Sequence, residues 1–239
     1  MKTILIILWS FSAIVVNAQK FKSDTTRVKN SKGKLGFHFG FNYSNVQLNA
    51  EPFVFSDSLP VGSISAVNGV GVSGGAFYES RIQSKKDVSF VSWRIGFQFQ
   101  LNTAFLEYDK NKPNKEEYEI HSVCAEFPIQ FAYYKKPVIA EMPEELYSTK
   151  RSSLAPVLAV RPGIPLGFSA STHPELNNFY IFGELGLEQS MRLKSTVLTI
   201  QLSYSRDLLS RTKSGSNDIY NTPINSLHKD LINLTLLFR

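Results

Sequence analysis

Apolar and polar side chains alternate along the last stretch of the chain. The apolar set is Ile232, Leu234, Leu236 and Phe238, and the polar set is Asn233, Thr235 and Arg239. A period of two predicts a β-strand with one apolar face, because successive side chains in a strand point to opposite sides of the sheet. An alternation this regular at the end of the chain indicates the strand that closes a sheet.

The same alternation recurs seven times upstream, so eight strands are predicted. They are residues 35–44, 70–78, 91–102, 123–133, 154–168, 179–188, 196–205 and 230–239. The pattern is clearest in 91–102 and weakest in 154–168, where Pro156, Pro162 and Pro165 each remove a backbone donor. An even number of strands is typical of single-chain outer-membrane barrels.

The first eighteen residues predict how the chain reaches a membrane. Lys2 precedes an apolar run from Ile4 to Val16, and Ala18 ends a small-residue cleavage site, as in a secretory signal peptide. No later window holds the roughly 20 apolar residues that a spanning helix needs, so strands must do the spanning. The sequence therefore predicts a signal peptide (1–18), a flexible basic lead (19–34) and an eight-stranded antiparallel up-and-down transmembrane β-barrel (35–239).

The energetic cost of a charged side chain in lipid decides which face of each strand meets lipid and which lines the interior. An arginine turned outward near the bilayer midplane costs about 2–4 kcal/mol, so the apolar parity is expected to face lipid. The polar residues predicted to line the interior are His38, Arg94, Gln98, Gln100, Glu126, Arg161, Glu184, Glu188 and Gln201. Arg161 lies on the strand between those of Glu126 and Glu184, where it is placed to bridge them. Eight strands leave room only for side chains, so a plugged interior is predicted rather than a channel.

Composition narrows the class of partner. The mean hydropathy of −0.12 is low for a helical membrane protein but fits lipid-facing residues that alternate with polar ones. The net charge is +6, yet the export signal and the lack of a recognition motif argue against nucleic acid. Outer-membrane lipid and acidic proteins are the expected partners.

Three motifs that suggest chemistry are better explained by structure. The glycines from Gly69 to Gly74 match a dinucleotide fingerprint, but no helix or distal acidic residue follows, so a curved strand is favoured. His121 and Ser122 would point to opposite faces of a strand, which argues against a hydrolase dyad. The four histidines lack ligand spacing and Cys124 is the single cysteine, so neither a metal, a cofactor, a small-molecule substrate nor a disulfide is expected. Aromatics near strand ends predict interfacial girdles: Tyr43, Trp93, Tyr133, Tyr134 and Tyr204.

Three segments carry a family resemblance. They are residues 34–42 (KLGFHFGFN), 118–128 (YEIHSVCAEFP) and 182–188 (FGELGLE), of which 126–128 (EFP) is the most telling. In order they resemble the PorT family of Bacteroidetes outer-membrane barrels. The resemblance implies a non-enzymatic accessory of the type IX secretion system, the route that exports proteins with a C-terminal sorting domain and in some species drives gliding. Two alternatives stay open: a small porin-like or ligand-binding barrel, and a lipid-modifying enzyme.

Connection lengths suggest where other secretion subunits bind. With a periplasmic N-terminus, the even-numbered turns are periplasmic and should be short, as 81–87 and 189–194 are. The remaining even-numbered turn, residues 135–152, is long and rich in charge. Its charged residues are Lys135, Lys136, Glu141, Glu144, Glu145, Lys150 and Arg151. Either it is a tolerated loop insertion, or, together with the basic lead from Lys20 to Lys34, it forms the periplasmic face that docks partner subunits through complementary charge.

Overall fold

The computed structural model describes residues 29–30, 33–51, 63–83, 89–109, 116–120, 123–135, 154–166, 175–193, 196–212 and 224–239. Thirteen strands lie within these ranges: β1 (Lys29–Asn30), β2 (Lys34–Ala50), β3 (Ser63–Val67), β4 (Gly69–Gln83), β5 (Ser89–Asn102), β6 (Phe105–Asp109), β7 (Glu116–Glu119), β8 (Val123–Glu126), β9 (Ile129–Lys135), β10 (Leu154–Pro165), β11 (Tyr180–Leu193), β12 (Thr196–Asp207) and β13 (Ile224–Phe238). Nowhere in these ranges is there a helix that is long and apolar enough to cross a membrane. The predicted signal peptide lies outside the described residues, as does most of the basic lead, of which Lys29–Asn30 and Lys34 belong to strands.

The main sheet closes on itself. Its order around the ring is β2, β4, β5, β8 with β9, β10, β11, β12 and β13, and β13 pairs again with β2. Every pairing is antiparallel, and apart from the closing pair of β13 with β2 the order of the strands around the ring is their order along the chain. The predicted all-β, eight-stranded, up-and-down transmembrane barrel is confirmed.

Strands β8 and β9 act as one strand of the ring. Glu126 pairs with Gln98 and Ile129 with Ile95, so the register with β5 runs unchanged across the two residues between them. The interruption falls at Pro128, whose carbonyl accepts from Gly96 N–H at 3.0 Å but which has no N–H to return the bond.

Along the strands of the barrel, exposed apolar side chains on its outer face alternate with buried side chains on its inner face. On β2, side chains from Leu35 to Tyr43 at every second position are at least 43% exposed, whereas His38 and Asn42 between them are buried. The eight steps from Leu35 to Tyr43 measure about 27 Å along the strand, which at the usual tilt gives an apolar band roughly 20 Å tall.

The prediction that Tyr134 belongs to an interfacial girdle is wrong. Tyr133 is 41% exposed on the outer face, but Tyr134 is only 2% exposed and points into the barrel. Two neighbouring residues of a regular strand cannot share a face, so the pair could not both have been girdle residues.

A small second sheet, formed by β3, β6 and β7, was missed by the sequence pattern, which predicted loops there. Its apolar face packs against inward side chains from the ends of β2 and β13, which run six residues further than predicted. The buried members are Val46, Ala104, Leu106, Tyr108, Ile120, Ile224 and Leu227. We call this sheet and its core the cap, and the barrel end that it covers the upper end.

The glycine-rich strand β4 owes its composition to close packing. A Cβ on Gly71 would lie 2.1 Å from the carbonyl oxygen of Leu101, and one on Gly75 would lie 2.0 Å from that of Phe97. Glycine is needed where a neighbouring backbone approaches this closely. Close packing therefore explains two of the three fingerprint-like glycines, Gly69 and Gly71, whereas a Cβ on the third, Gly74, would have its nearest heavy atom 3.7 Å away.

Candidate functional site

Among the described residues, the charged side chains inside the barrel gather in three clusters, stacked from the lower end, where β2 begins, to the cap. In the lower cluster Arg94 forms a bidentate pair with Glu188, at 2.6 and 2.7 Å, and donates from Nε to Glu79 at 2.9 Å. Tyr134 donates to Glu188, and Arg239 donates to Glu79. Arg94 lies on β5 and Glu188 on β11, so their pair crosses the lumen.

The middle cluster is built around Arg161. Its guanidinium lies 3.0 Å from Glu184 and 3.5 Å from Glu126. Neutral donors take further positions on both carboxylates: Gln98 (2.6 Å) and Tyr180 (3.0 Å) on Glu126, and Gln201 (2.7 Å) and Ser205 (3.3 Å) on Glu184. Charges buried this deeply are tolerated only when paired and hydrogen-bonded, so the cluster holds three adjacent strands in register.

The upper cluster lies below the cap. Arg211 donates from Nε to Asp207 at 2.5 Å and stacks over the rings of Tyr180 and Phe182, at 4.1 and 5.2 Å. Burial disfavours its charge, but the Asp207 carboxylate more than offsets this and the pKa of Arg211 is raised. Asp207 also accepts the backbone N–H of Lys229 at 2.9 Å, which ties β12 to β13. The segment after β12 is thereby drawn into the barrel.

Little space remains between the lower and middle clusters. A cavity of about 20 Å³ lies there, lined by His38, Ser73, Gln130, Thr235 and the two arginines among others. That volume is about enough for one water molecule. The part of the interior that the structure describes is therefore filled by side chains.

The structure places each predicted interior residue as follows. Arg94, Glu126, Arg161, Glu184 and Glu188 are all at most 5% exposed and lie in the lower and middle clusters. The interior set also includes His38, Gln98, Gln100 and Gln201, all buried. Of the predicted docking residues, Lys135 is the last residue of β9; Lys136, Glu141, Glu144, Glu145, Lys150 and Arg151 lie outside the described residues, as do His121 and Ser122.

Several cluster members were missed because predicted strands were too short. Glu79 follows the predicted end of its strand by one residue, and Asp207, Arg211 and Lys229 fell in a predicted loop. Extending the alternation beyond Tyr78 would have placed Glu79 inside, because it shares the parity of Phe77 and Gly75. No sequence signal marks Arg211, which reaches the interior from outside any strand.

Comparison with known proteins adds no argument to the geometry described above. No family model and no curated protein matches the chain. One similar solved structure is the translocator domain of the autotransporter NalP from Neisseria meningitidis, with 11% identity over 96% of this chain and 97% of that one. The TM-score is 0.28, so this likeness carries no argument about function. Among the described residues, no group of three histidine, cysteine or acidic side chains is arranged to hold a metal.

Proposed function

We propose that the chain is a non-enzymatic β-barrel of the outer membrane that serves as an accessory of a protein secretion machinery. The observation that carries the proposal is the filled interior. Ion pairs cross the lumen between Arg94 and Glu188 and span three strands at Arg161, and the cap packs over the upper end. A barrel in this state transports no solute through its centre, which leaves its outer surface and its connections to act on other molecules.

The exposed apolar band supports the proposed placement in the outer membrane. Phe37, Phe41, Phe99, Leu202 and Ile232 are each at least half exposed, a fraction that an aqueous surface of this extent would not tolerate. A helix cannot account for this band, whereas a closed barrel satisfies its backbone groups in lipid. The signal peptide predicted for residues 1–18 supplies the route of export.

The type IX secretion system is the machinery that the family resemblance implies. The periplasmic connection between β9 and β10, with its seven charged residues, is the proposed docking segment for other subunits. Charge complementarity sets the specificity and rate of such contacts more than their strength.

The first test addresses transport. Purified protein in planar lipid bilayers is expected to show no stable unitary conductance at neutral pH. Single-channel steps from the wild-type protein would instead support the porin-like alternative.

The second test addresses docking. Replacing residues 138–149 with a two-residue turn is expected to leave a folded barrel in the outer membrane while abolishing secretion. Shortening the connection 213–222 at the other end is the matched control and should leave secretion unchanged. Normal secretion by the first variant, at normal protein levels, would contradict docking at this connection.

A third test identifies the class of partner protein by co-purification with the barrel. Several secretion subunits recovered with the wild-type protein from detergent-solubilised membranes, but not with the 138–149 variant, are the expected result. Recovery of the barrel by itself in both cases would count against the secretion role.

A further inference from the structure

One seam of the barrel has an unusually short ladder. Within the described residues, β10 pairs with β8 through three residues and with β9 through four, seven in all. Each of the other seams has between nine pairs, as in β12 with β13, and fourteen, as in β13 with β2. We call the boundary between β8–β9 and β10 the short seam.

Proline explains why this ladder is short. Phe127 donates its N–H to the carbonyl of Pro162 at 2.9 Å, but Pro162 has no N–H with which to complete the pair. Backbone groups two residues apart point to the same side of a strand, so the nitrogen of Pro156 faces the same neighbour. Two of the three missing donors of β10 therefore fall on the short seam, and the ladder stops at Val157, next to Pro156.

Side chains compensate on the inner face. Arg161 on β10 reaches across the short seam to Glu126 on β8, and Gln98 on β5 holds the same carboxylate. The contact to Arg161 is the longer one, at 3.5 Å against 2.6 Å for Gln98. Glu126 is thus held more closely by β5 than by β10, and the tie across the short seam is the weaker of the two.

We infer that the short seam opens sideways within the bilayer and takes up an extended strand from a partner protein. Opened edges expose unpaired N–H and C=O groups to hydrocarbon, where each is strongly unfavourable. A strand that pairs with both edges removes that penalty, so opening is coupled to strand insertion rather than to passage of a solute. The partner is accordingly a chain segment with alternating apolar and polar residues.

Hydrogen exchange tests the opening. Phe127, Ile129 and Phe131 share parity, so their amides face β10, and the matched amides of Phe97 and Phe99 face β4. In full-length protein reconstituted in phosphatidylcholine nanodiscs, the first set is expected to exchange at least tenfold faster than the second. Equal rates would overturn the proposal.

Two proline replacements sharpen this measurement. Pro162→Ala restores a donor toward the short seam and should slow exchange at Ile129 and Phe131 several-fold. Pro165→Ala is the matched control, because residue 165 differs in parity and its nitrogen points away from the short seam, so exchange at the seam should not change. Slowing by both variants, or by neither, would show that the missing donor does not weaken the seam.

A disulfide lock tests strand uptake. Ala132 and Val157 are directly opposed, buried and on a non-hydrogen-bonded pair, which suits a cross-strand disulfide. In a Cys124→Ser background, Ala132→Cys with Val157→Cys closes the short seam, and Ser73→Cys with Gln100→Cys closes the matched inward pair between β4 and β5.

The probe is a synthetic peptide with the sequence of β12, carrying a photoreactive benzophenone in place of Leu202. We expect cross-links to β9 and β10 that fall at least fivefold when the short seam is locked and recover on reduction. The lock between β4 and β5 should leave them unchanged. Cross-links spread evenly around the barrel, or unaffected by the short-seam lock, would overturn the proposal. Neither readout involves secretion, so the outcome is separate from that of the proposed function.

Discussion

At the scale of single residues, Arg161 is the cation on which two buried carboxylates depend. Arg161→Ala leaves Glu126 and Glu184 with neutral donors alone, and breaking a buried pair in this way typically costs about 3–5 kcal/mol. We expect a loss of that size in the free energy of unfolding, measured by urea titration of the reconstituted barrel. Adding Glu184→Gln should recover part of it, because one unpaired charge is then removed.

The control for this prediction is an ion pair nearer the solvent. Arg81 lies 2.9 Å from Glu79 but its side chain is 36% exposed, so Arg81→Ala should cost at most about 1 kcal/mol. Equal losses for Arg81→Ala and Arg161→Ala, or full additivity in the double variant, would mean that Arg161 does not hold the two carboxylates together.

Neighbouring glycines on β4 give a second test at the same scale. A Cβ on Gly75 would collide with the carbonyl oxygen of Phe97, whereas on Gly74 the nearest heavy atom is 3.7 Å away. Gly75→Ala should therefore cost about 1–3 kcal/mol of unfolding free energy through overpacking, and Gly74→Ala should be close to neutral. A loss of similar size in both variants would contradict the packing account.

The interior charges that lie within the predicted strands could be assigned one by one, because a charged side chain facing lipid is strongly unfavourable and the alternation then places it on the inner face. Arg94, Arg161 and Glu184 follow from that rule. Tyr134 did not, because tyrosine suits both an interface and a buried hydrogen bond, and only its parity distinguishes the two. Arg239 was predicted only as polar, and its contact with Glu79 depends on two distant strands meeting at the lower end.

At the scale of elements, the sequence predicts strands well where lipid contacts one face and poorly above the membrane. Within the band, alternation is enforced by hydrocarbon outside and polar contacts inside. The cap strands β3 and β7 have only five and four residues, too few for a period of two to be distinguished from chance. Their pairing depends on β6 and on inward side chains of β2 and β13 above the apolar band. These contacts are distant in the sequence, so the local alternation of apolar and polar residues does not reveal them.

The cap provides the prediction at this scale. Leu106 is fully buried in its core, and Leu106→Ala should remove about 2–5 kcal/mol from the stability of the cap. Because the barrel ladder below is separate, we expect faster protease cleavage near residues 105–120 on the intact protein while the barrel stays folded. Leu209→Ala, at a side chain that is 47% exposed, is the control and should change little. Unchanged cleavage in Leu106→Ala would show that this core does not hold the cap.

At the scale of the whole molecule, the filled interior and the closed ring imply a barrel that unfolds as a unit. Within the described residues each strand of the ring pairs with a neighbour on both sides, so the ring itself has no open edge strand. The mature protein is therefore expected to be heat-modifiable, migrating faster on gels when unboiled than when boiled. Arg161→Ala should lower the temperature of this shift, whereas Gly74→Ala should not. Recovery of the protein in the soluble fraction, or a helical circular-dichroism spectrum, would contradict the barrel itself.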